Sequence, residues 1–346
     1  MLNGPGSLLG DDRTVDVETT MQNADRLRIV AMGGGTGMKA LLSGLHKYDV
    51  DVTAIITVAD DGGSSGRLRR DFDIPPPGDI RNCLVALSDA DPLIGELFQY
   101  RFEESILKGH SFGNLFIAVL TKLSGDFRTA IERARSLLSV RGQVLPSTDR
   151  KVVLTAEHPD GTKSTGEQAI SASRKSIVRM SLVPKPPPVS EEIEKVLEAA
   201  DVVCFGPGSL YTSITPNLLV PGMVDAVNRS NARTLYIANL MTQPGETDGC
   251  SLEMHVRSLL GLSGGLRIDE IVSRSEGLDA ERAGTYLREG AQPVDDDLSI
   301  DAILGVPIRR LPLIDAGSHI RHSPALLSAI VVEAARRRRA AAGGRS

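Results

Sequence analysis

Two adjacent carboxylates, Asp60 and Asp61, close the apolar run DVTAIITV and are followed by GGSSG and then by Arg67, Arg69 and Arg70. Neighbouring carboxylates suit Mg²⁺, which takes one or two of them and completes its shell with water and phosphate oxygens. The same pair can instead accept hydrogen bonds from a ribose or from the amides of its own loop. The arginines can neutralise phosphate, but on a short helix at least two of the three face outward. Asp60 and Asp61 are therefore candidates for ligand contact and for a metal, with both readings open.

Two glycine loops point to an anionic ligand more directly. GGGTG (Gly33–Gly37) lies between the apolar run LRIVAM and the amphipathic MKALLSGLHKY. A helix start supplies unpaired N–H groups and the positive end of its dipole, which suits phosphate. Gly34, Gly35, Thr36 and Gly37 are the candidates. GPGSLYTS (Gly206–Ser213) repeats the arrangement, with Gly208 and Ser209 offering backbone and a hydroxyl. Neither loop is G-x-G-x-x-G or a Walker loop, which counts against a standard NAD or P-loop site. Ser209 is not in G-x-S-x-G, so it is not read as a nucleophile.

Polar residues at other element ends complete the set. In PPPGDIRN, Asp79 is placed to cap a helix and Asn82 lies one turn in. GHSFGN supplies His110, Ser111 and Asn114 ahead of an apolar helix. Asn239 stands where the strand of ARTLYIANLMTQPGETDG runs into its loop. His319 and His322 in HIRH lack the further ligands a zinc site needs.

These residues require a framework that brings strand ends together. Strand, glycine loop, helix and strand in that order open a doubly wound sheet, in which ligands sit at the carboxyl ends of the strands. The segments from Asp79 to Val140 carry helical periodicity and form a helical insertion, about 79–140. QVLPSTDRKVVLTAEHPDGT and KSIVRMSLVP alternate as an antiparallel segment, and KPPPV reads as a stiff connector. A second βα series starts at ADVVCF, and PNLLVPGMVDAVNRS is expected to be one helix with Pro216 in its first turn. The expected division is a polar leader over 1–26, a single α/β domain over 27–334 and a basic tail over 335–346. Arg336 to Arg339 are expected on a solvated helix end.

The chain has 346 residues, enough to bury a large core. A net charge of −5 and an aromatic content of 3% argue against nucleic acid as a partner. Three scattered cysteines without a CxxC argue against zinc and disulfides and suit a reducing cytoplasm. No run of 18 apolar residues is present, so membrane insertion is not expected.

VAMGGGTGMKALLSGL, ITVADDGGSSGRLRRDFDIPPPGDIRNCLVALSD, GHSFGNL, ADVVCFGPGSLYTSITPNLLV and NLMTQPGETDG together closely resemble the YvcK family of gluconeogenesis factors. The likeness runs from about Leu27 to Ala334, and the wider superfamily includes 2-phospho-L-lactate transferase. It implies a Rossmann-like three-layer α/β/α fold with a mostly parallel sheet, and a cytoplasmic location. It also implies UDP-N-acetylglucosamine as ligand, a regulatory role in cell shape and peptidoglycan precursor supply during gluconeogenic growth, and no established reaction. Cell-wall synthesis or regulatory proteins are the implied partners, and a homo-oligomer is left open. By local context the family's sugar-nucleotide Tyr and Arg fall on Tyr286 and Arg321, suited to stacking and to pairing with diphosphate. One departure is Cys250, where many relatives carry Tyr. The alternative reading is a Mg²⁺-dependent transferase using a nucleotide-activated substrate.

Overall fold

The computed structural model describes residues 26–104, 106–317 and 319–344. The expected leader, apart from Arg26, lies outside them. Strand β1 (Leu27–Gly33) is almost wholly buried from Ile29 onward, as a continuous apolar run demands when both sheet faces are covered. It pairs in parallel with β2 (Val50–Ile56) on one side and β7 (Val202–Phe205) on the other. β3 (Gln143–Pro146) extends the sheet beyond β2. On the other flank β7 is followed by β8 (Arg233–Ile237), β9 (Glu270–Arg274) and β11 (Val306–Leu311), all parallel. Only the short β10 (Ala302–Ile303) is antiparallel.

The order β10-β11-β9-β8-β7-β1-β2-β3 reverses direction between β1 and β7. That is the switch point at which the loops of an open α/β sheet diverge and leave a crevice. Helices Gly35–Leu45, Gly78–Ala86 and Pro324–Gly343 cover one face, and Glu191–Ala199, Met223–Arg229 and Leu252–Ser263 lie on the other. The fold is thus α/β, three-layered and mostly parallel, as read from the sequence.

Three details differ from the sequence reading. QVLP joins the main sheet instead of the antiparallel segment, which is formed by β4 (Val153–Glu157), β5 (Lys163–Thr165) and β6 (Arg179–Val183). Its side chains are buried from Val144 to Pro146, so it extends the core next to β2. PNLLVPGMVDAVNRS is two helices, Thr215–Leu218 and Met223–Arg229. Pro221 and Gly222 separate them, since Pro lacks an amide to continue a helix and Gly222 takes a left-handed φ of 81°. Pro216 does sit in the first turn.

The last helix also runs through the expected domain edge at 334 and on to Gly343. Ala334 and Ala335 are buried, Arg338 donates to the Asn231 carbonyl, and Arg339 donates to Asp201 (Nε–Oδ1 3.2 Å). The basic end is thereby attached to the amino end of the sheet. Its start lies against the first helix, where a Cβ on Gly44 would stand 2.2 Å from the Pro324 carbonyl oxygen.

Gly44→Ala gains about 1 kcal/mol of helix propensity. It forces two helix backbones apart, at a cost of about 1–3 kcal/mol. The variant is expected to unfold at a lower temperature than the parent in a calorimetric scan; an unchanged or raised Tm would contradict this contact.

Candidate functional site

The two glycine loops meet at the switch point. A Cβ on Gly37 would lie 2.5 Å from the Pro207 carbonyl oxygen, and one on Gly208 3.0 Å from that of Gly34. Close approach of backbone to backbone is what these glycines provide. The first amide of the helix, Gly35 N–H, donates to Asp79 Oδ2 at 2.8 Å. The start that reads as a phosphate cradle thus already holds a carboxylate of the chain. Asp79 itself sits inside the first turn of Gly78–Ala86, whose N-cap is Pro77, so it does not cap its own helix as expected. Burial pushes its carboxyl up to about 6, against the pull of the Gly35 amide.

Beside the loops is a cleft of about 530 Å³. Thr36, Gly37 and Lys39 line it from the first turn, Pro207, Gly208 and Ser209 from the second, and Asn239 from the end of β8. Tyr286, Arg321 and His322 close it from the C-terminal part of the chain. The Tyr286 hydroxyl donates to the Ile320 carbonyl at 3.3 Å, and its ring packs on Leu240, Ala283 and Ile320. The Arg321 side chain is exposed, and neither it nor Lys39 has an ion pair among the described residues. The half-buried His322 bonds through Nε2 to the Ala238 carbonyl at 3.0 Å, and desolvation pushes its pKa down to about 4 against the pull of that bond, which leaves it neutral.

Behind Ser209 lies a group of carboxyls. Ser209 Oγ donates to Glu246 Oε2 at 2.5 Å, Ser171 Oγ donates to Oε1 at 3.0 Å, and Thr212 Oγ1 donates to Ser209 Oγ at 2.7 Å. Glu246 is raised by burial, which these hydroxyls oppose. Glu167 is pushed up to about 8 by burial, then by the charges of Asp60 and Glu246. Asp60 is raised by burial as well; its Oδ1 accepts from Gly62 N–H at 2.7 Å and it bonds to Glu167. Desolvation and repulsion by neighbouring carboxylates raise both of these half-buried carboxyls, and at about 8 Glu167 keeps its proton at neutral pH. Asp61 turns away, accepting the Glu167 amide at 2.8 Å. Arg69 is half-buried and faces this group, drawn by Asp61 and Asp60, while Arg67 and Arg70 are exposed as expected.

Among the described residues no three His, Cys, Asp or Glu side chains converge as a metal site. The pair Asp60 and Glu167 still fits Mg²⁺ of the kind that relies on water and phosphate for its remaining ligands.

The expected site residues therefore fall into separate groups. Thr36, Gly37, Gly208, Ser209, Asn239, Tyr286 and Arg321 share the cleft; Gly34 and Gly35 are packed against Asp79; Asp60 and Asp61 lie behind Ser209. Asn82 and Asn114 belong to a fourth place, beside the buried Arg81. Arg81 Nη2 donates to Asn82 Oδ1 at 2.7 Å, and Asn114 is 1% exposed under the Ser111 cap. Sequence reasoning missed Lys39, Glu167, Arg81 and Glu246, although Glu246 stands inside the quoted QPGETDG, where an acid after a strand end is a signal.

Glu167 has its folded pKa raised from an ordinary value of 4.5 to about 8. Its contribution to stability is complete below pH 4.5 and is lost as the pH climbs through 8. Glu167→Gln should raise Tm at pH 8.5 by a few degrees, of the order of 1 kcal/mol, and change it little at pH 4.5. Equal shifts at both pH values would refute the protonated Glu167.

The sequence profile of the family described as 2-phospho-L-lactate transferase CofD matches residues 29–314. The chain is 45% identical over 307 residues to the gluconeogenesis factor of Halalkalibacterium halodurans, covering 88% of this chain and 95% of that one. It is 45% identical over 309 residues to the gluconeogenesis factor of Bacillus subtilis, covering 88% and 97%. Among solved structures, a UPF0052 family member from Bacillus halodurans superposes with a TM-score of 0.86 at 44% identity, over 89% of this chain and 99% of that one.

Proposed function

The chain belongs to the gluconeogenesis factors of the CofD-like superfamily, and from that premise we propose that it is a cytoplasmic regulatory protein that binds UDP-N-acetylglucosamine. Its role is to balance peptidoglycan precursor supply and cell shape during gluconeogenic growth, through cell-wall synthesis or regulatory proteins. The observation that supports this reading is the cleft at the switch point. Its volume of about 530 Å³ suits a ligand the size of a nucleotide sugar. Lys39 and Arg321, which have no ion pair among the described residues, offer positive charge to a diphosphate, and Tyr286 offers a ring edge and face at the rim. Asn239 supplies hydrogen bonds to sugar or ribose hydroxyls.

Calorimetric titration with UDP-N-acetylglucosamine tests the ligand. Arg321→Ala should weaken binding by about 1.5–3 kcal/mol, the range for a hydrogen bond to a charged group. Absence of heat at millimolar ligand, or full affinity in the variant, would overturn the assignment.

The second reading, a Mg²⁺-dependent transferase, is favoured by one observation: the Asp60–Glu167 pair beside the cleft. A metal there would neutralise a diphosphate leaving group. Release of UDP or UMP in the presence of Mg²⁺ and candidate acceptors, lost in Asp60→Asn, would establish it. Turnover that is absent with every acceptor, together with ligand affinity unaffected by Mg²⁺, would dismiss it.

A further inference from the structure

The arginine pocket beside Asn82 and Asn114 is not used by the cleft. Arg81 is 5% exposed, and among the described residues no carboxylate lies within ion-pair distance of it. Burial and the neighbouring Arg101 lower its pKa to about 10, so it stays charged at neutral pH. Its terminal nitrogens donate only to neutral acceptors, Ser111 Oγ and Asn82 Oδ1, and its buried Nε has no partner. Removing a charged group from water costs several kcal/mol unless an opposite charge offsets it. Asp79 attracts Arg81 from a distance, but its carboxylate is bonded to the Gly35 amide on the far side.

Further donors open toward solvent around this charge. Arg101 is exposed, and its Nη1 touches Ser64 Oγ at 3.4 Å and the Gly109 carbonyl at 2.5 Å. Arg67 reaches the Lys108 carbonyl at 3.1 Å, and neither Arg67 nor Arg101 has an ion pair among the described residues. Asn114 Nδ2 meets Ser64 Oγ at 3.5 Å, its Oδ1 is unpaired, and the buried His110 has an unpaired Nδ1. Helix Gly63–Phe72 starts beside Ser64 without a side-chain cap, and helix Phe112–Ser124 starts at Ser111. One uncapped helix start and three guanidinium groups without an ion pair among the described residues face one another; the acids that act on them, Asp71 at His110 and Asp79 at Arg81, form no ion pair with them.

We propose that this pocket, formed by Arg67, Arg81, Arg101, His110, Ser64 and Asn114, is a second ligand site that binds the phosphate group of a small metabolite. It is separated from the nucleotide-sugar cleft by the carboxyl group of Asp60, Glu167 and Glu246, so the two ligands occupy different sides of the crevice. Arg101 and Arg67 hold the anion at the mouth, and Arg81 supplies the fixed charge behind it. The naming of the first ligand rests on the proposed function, but this site does not.

The full chain is titrated with inorganic phosphate, pyrophosphate and malonate, with and without saturating UDP-N-acetylglucosamine, by calorimetry and by thermal shift. Phosphate or pyrophosphate is expected to bind more tightly than malonate and to raise Tm. Binding is expected to persist in the presence of the nucleotide sugar and to weaken about tenfold or more in Arg101→Ala, which removes an exposed side chain. Arg81→Met should abolish phosphate binding and raise the Tm of the unliganded protein, because it removes an uncompensated buried charge. Should Arg81→Met fail to fold, Arg101→Ala decides alone. No binding at millimolar phosphate, tighter binding of malonate, or binding insensitive to Arg101→Ala overturns the site. Displacement of phosphate by the nucleotide sugar together with loss in Arg321→Ala would place the phosphate in the cleft and also overturn it. Failure of UDP-N-acetylglucosamine to bind overturns the proposed function and leaves the phosphate result standing.

Discussion

The contact on which the architecture depends is the crossing of the first and second glycine loops, backbone against backbone. Gly37 lies so close to the Pro207 carbonyl that no side chain fits between them. Gly206 N–H donates to the Met32 carbonyl at 3.0 Å, and Thr57 N–H to that of Gly33 at 3.1 Å. The buried Asn217 spans Gly33 and the Ser213 carbonyl with one amide nitrogen, at 3.1 and 2.7 Å. This knot fixes β1 between β7 and β2, and the reversal of strand order follows from it. Every wall of the crevice is then set by how far each loop travels from the knot before its helix begins.

The second constraint is electrostatic. Helices Gly35–Leu45 and Glu167–Ser173 both start at the crevice without a side-chain cap of their own. Their first amides are satisfied from other elements, by Asp79 and Asp61 respectively. A cap contributes about 0.5–2 kcal/mol, so each cross-link ties the position of one helix to a loop far away in sequence. Asp79 is desolvated in this role, and burial without a matching cation raises its pKa. The high values at Asp60, Asp79, Glu167 and Glu246 thus have a structural origin in crowding as well as a chemical use.

This explains which parts were legible in the sequence. The βαβ opening, the two glycine loops and their meeting point follow from local patterns, because strand burial and helix starts leave periodic and compositional marks. The cleft residues were legible where they stand at strand ends, as Asn239 does, or in short motifs, as Ser209 does. QVLP could not be assigned to the right sheet, because four residues, three of them apolar, carry no information about their partner strand. Asp79 reads as a cap by its position before a helix, and it is a cap, but for a helix 44 residues away in the chain. Glu167 and Arg81 become notable only through burial and neighbours, which a pattern along one chain does not encode.

The distribution of polar groups bears on sensing against catalysis. Ser209 lines the cleft, yet its hydroxyl is committed to Glu246, and its neighbours are Thr212 and a carboxyl rather than a histidine. Asp60, Asp61 and Asp79 each accept a backbone amide, and Asp60 alone of the three also bonds to a second carboxyl, that of Glu167. A protonated Glu167 keeps a second negative charge away from Asp60, and that charge appears only when a cation or ligand donor replaces the proton. Such a group responds to the charge of whatever fills the crevice, which a sensor requires. It becomes a reaction centre only if a metal and an acceptor arrive with the nucleotide. Binding and chemistry thus make different demands on the same two carboxyls.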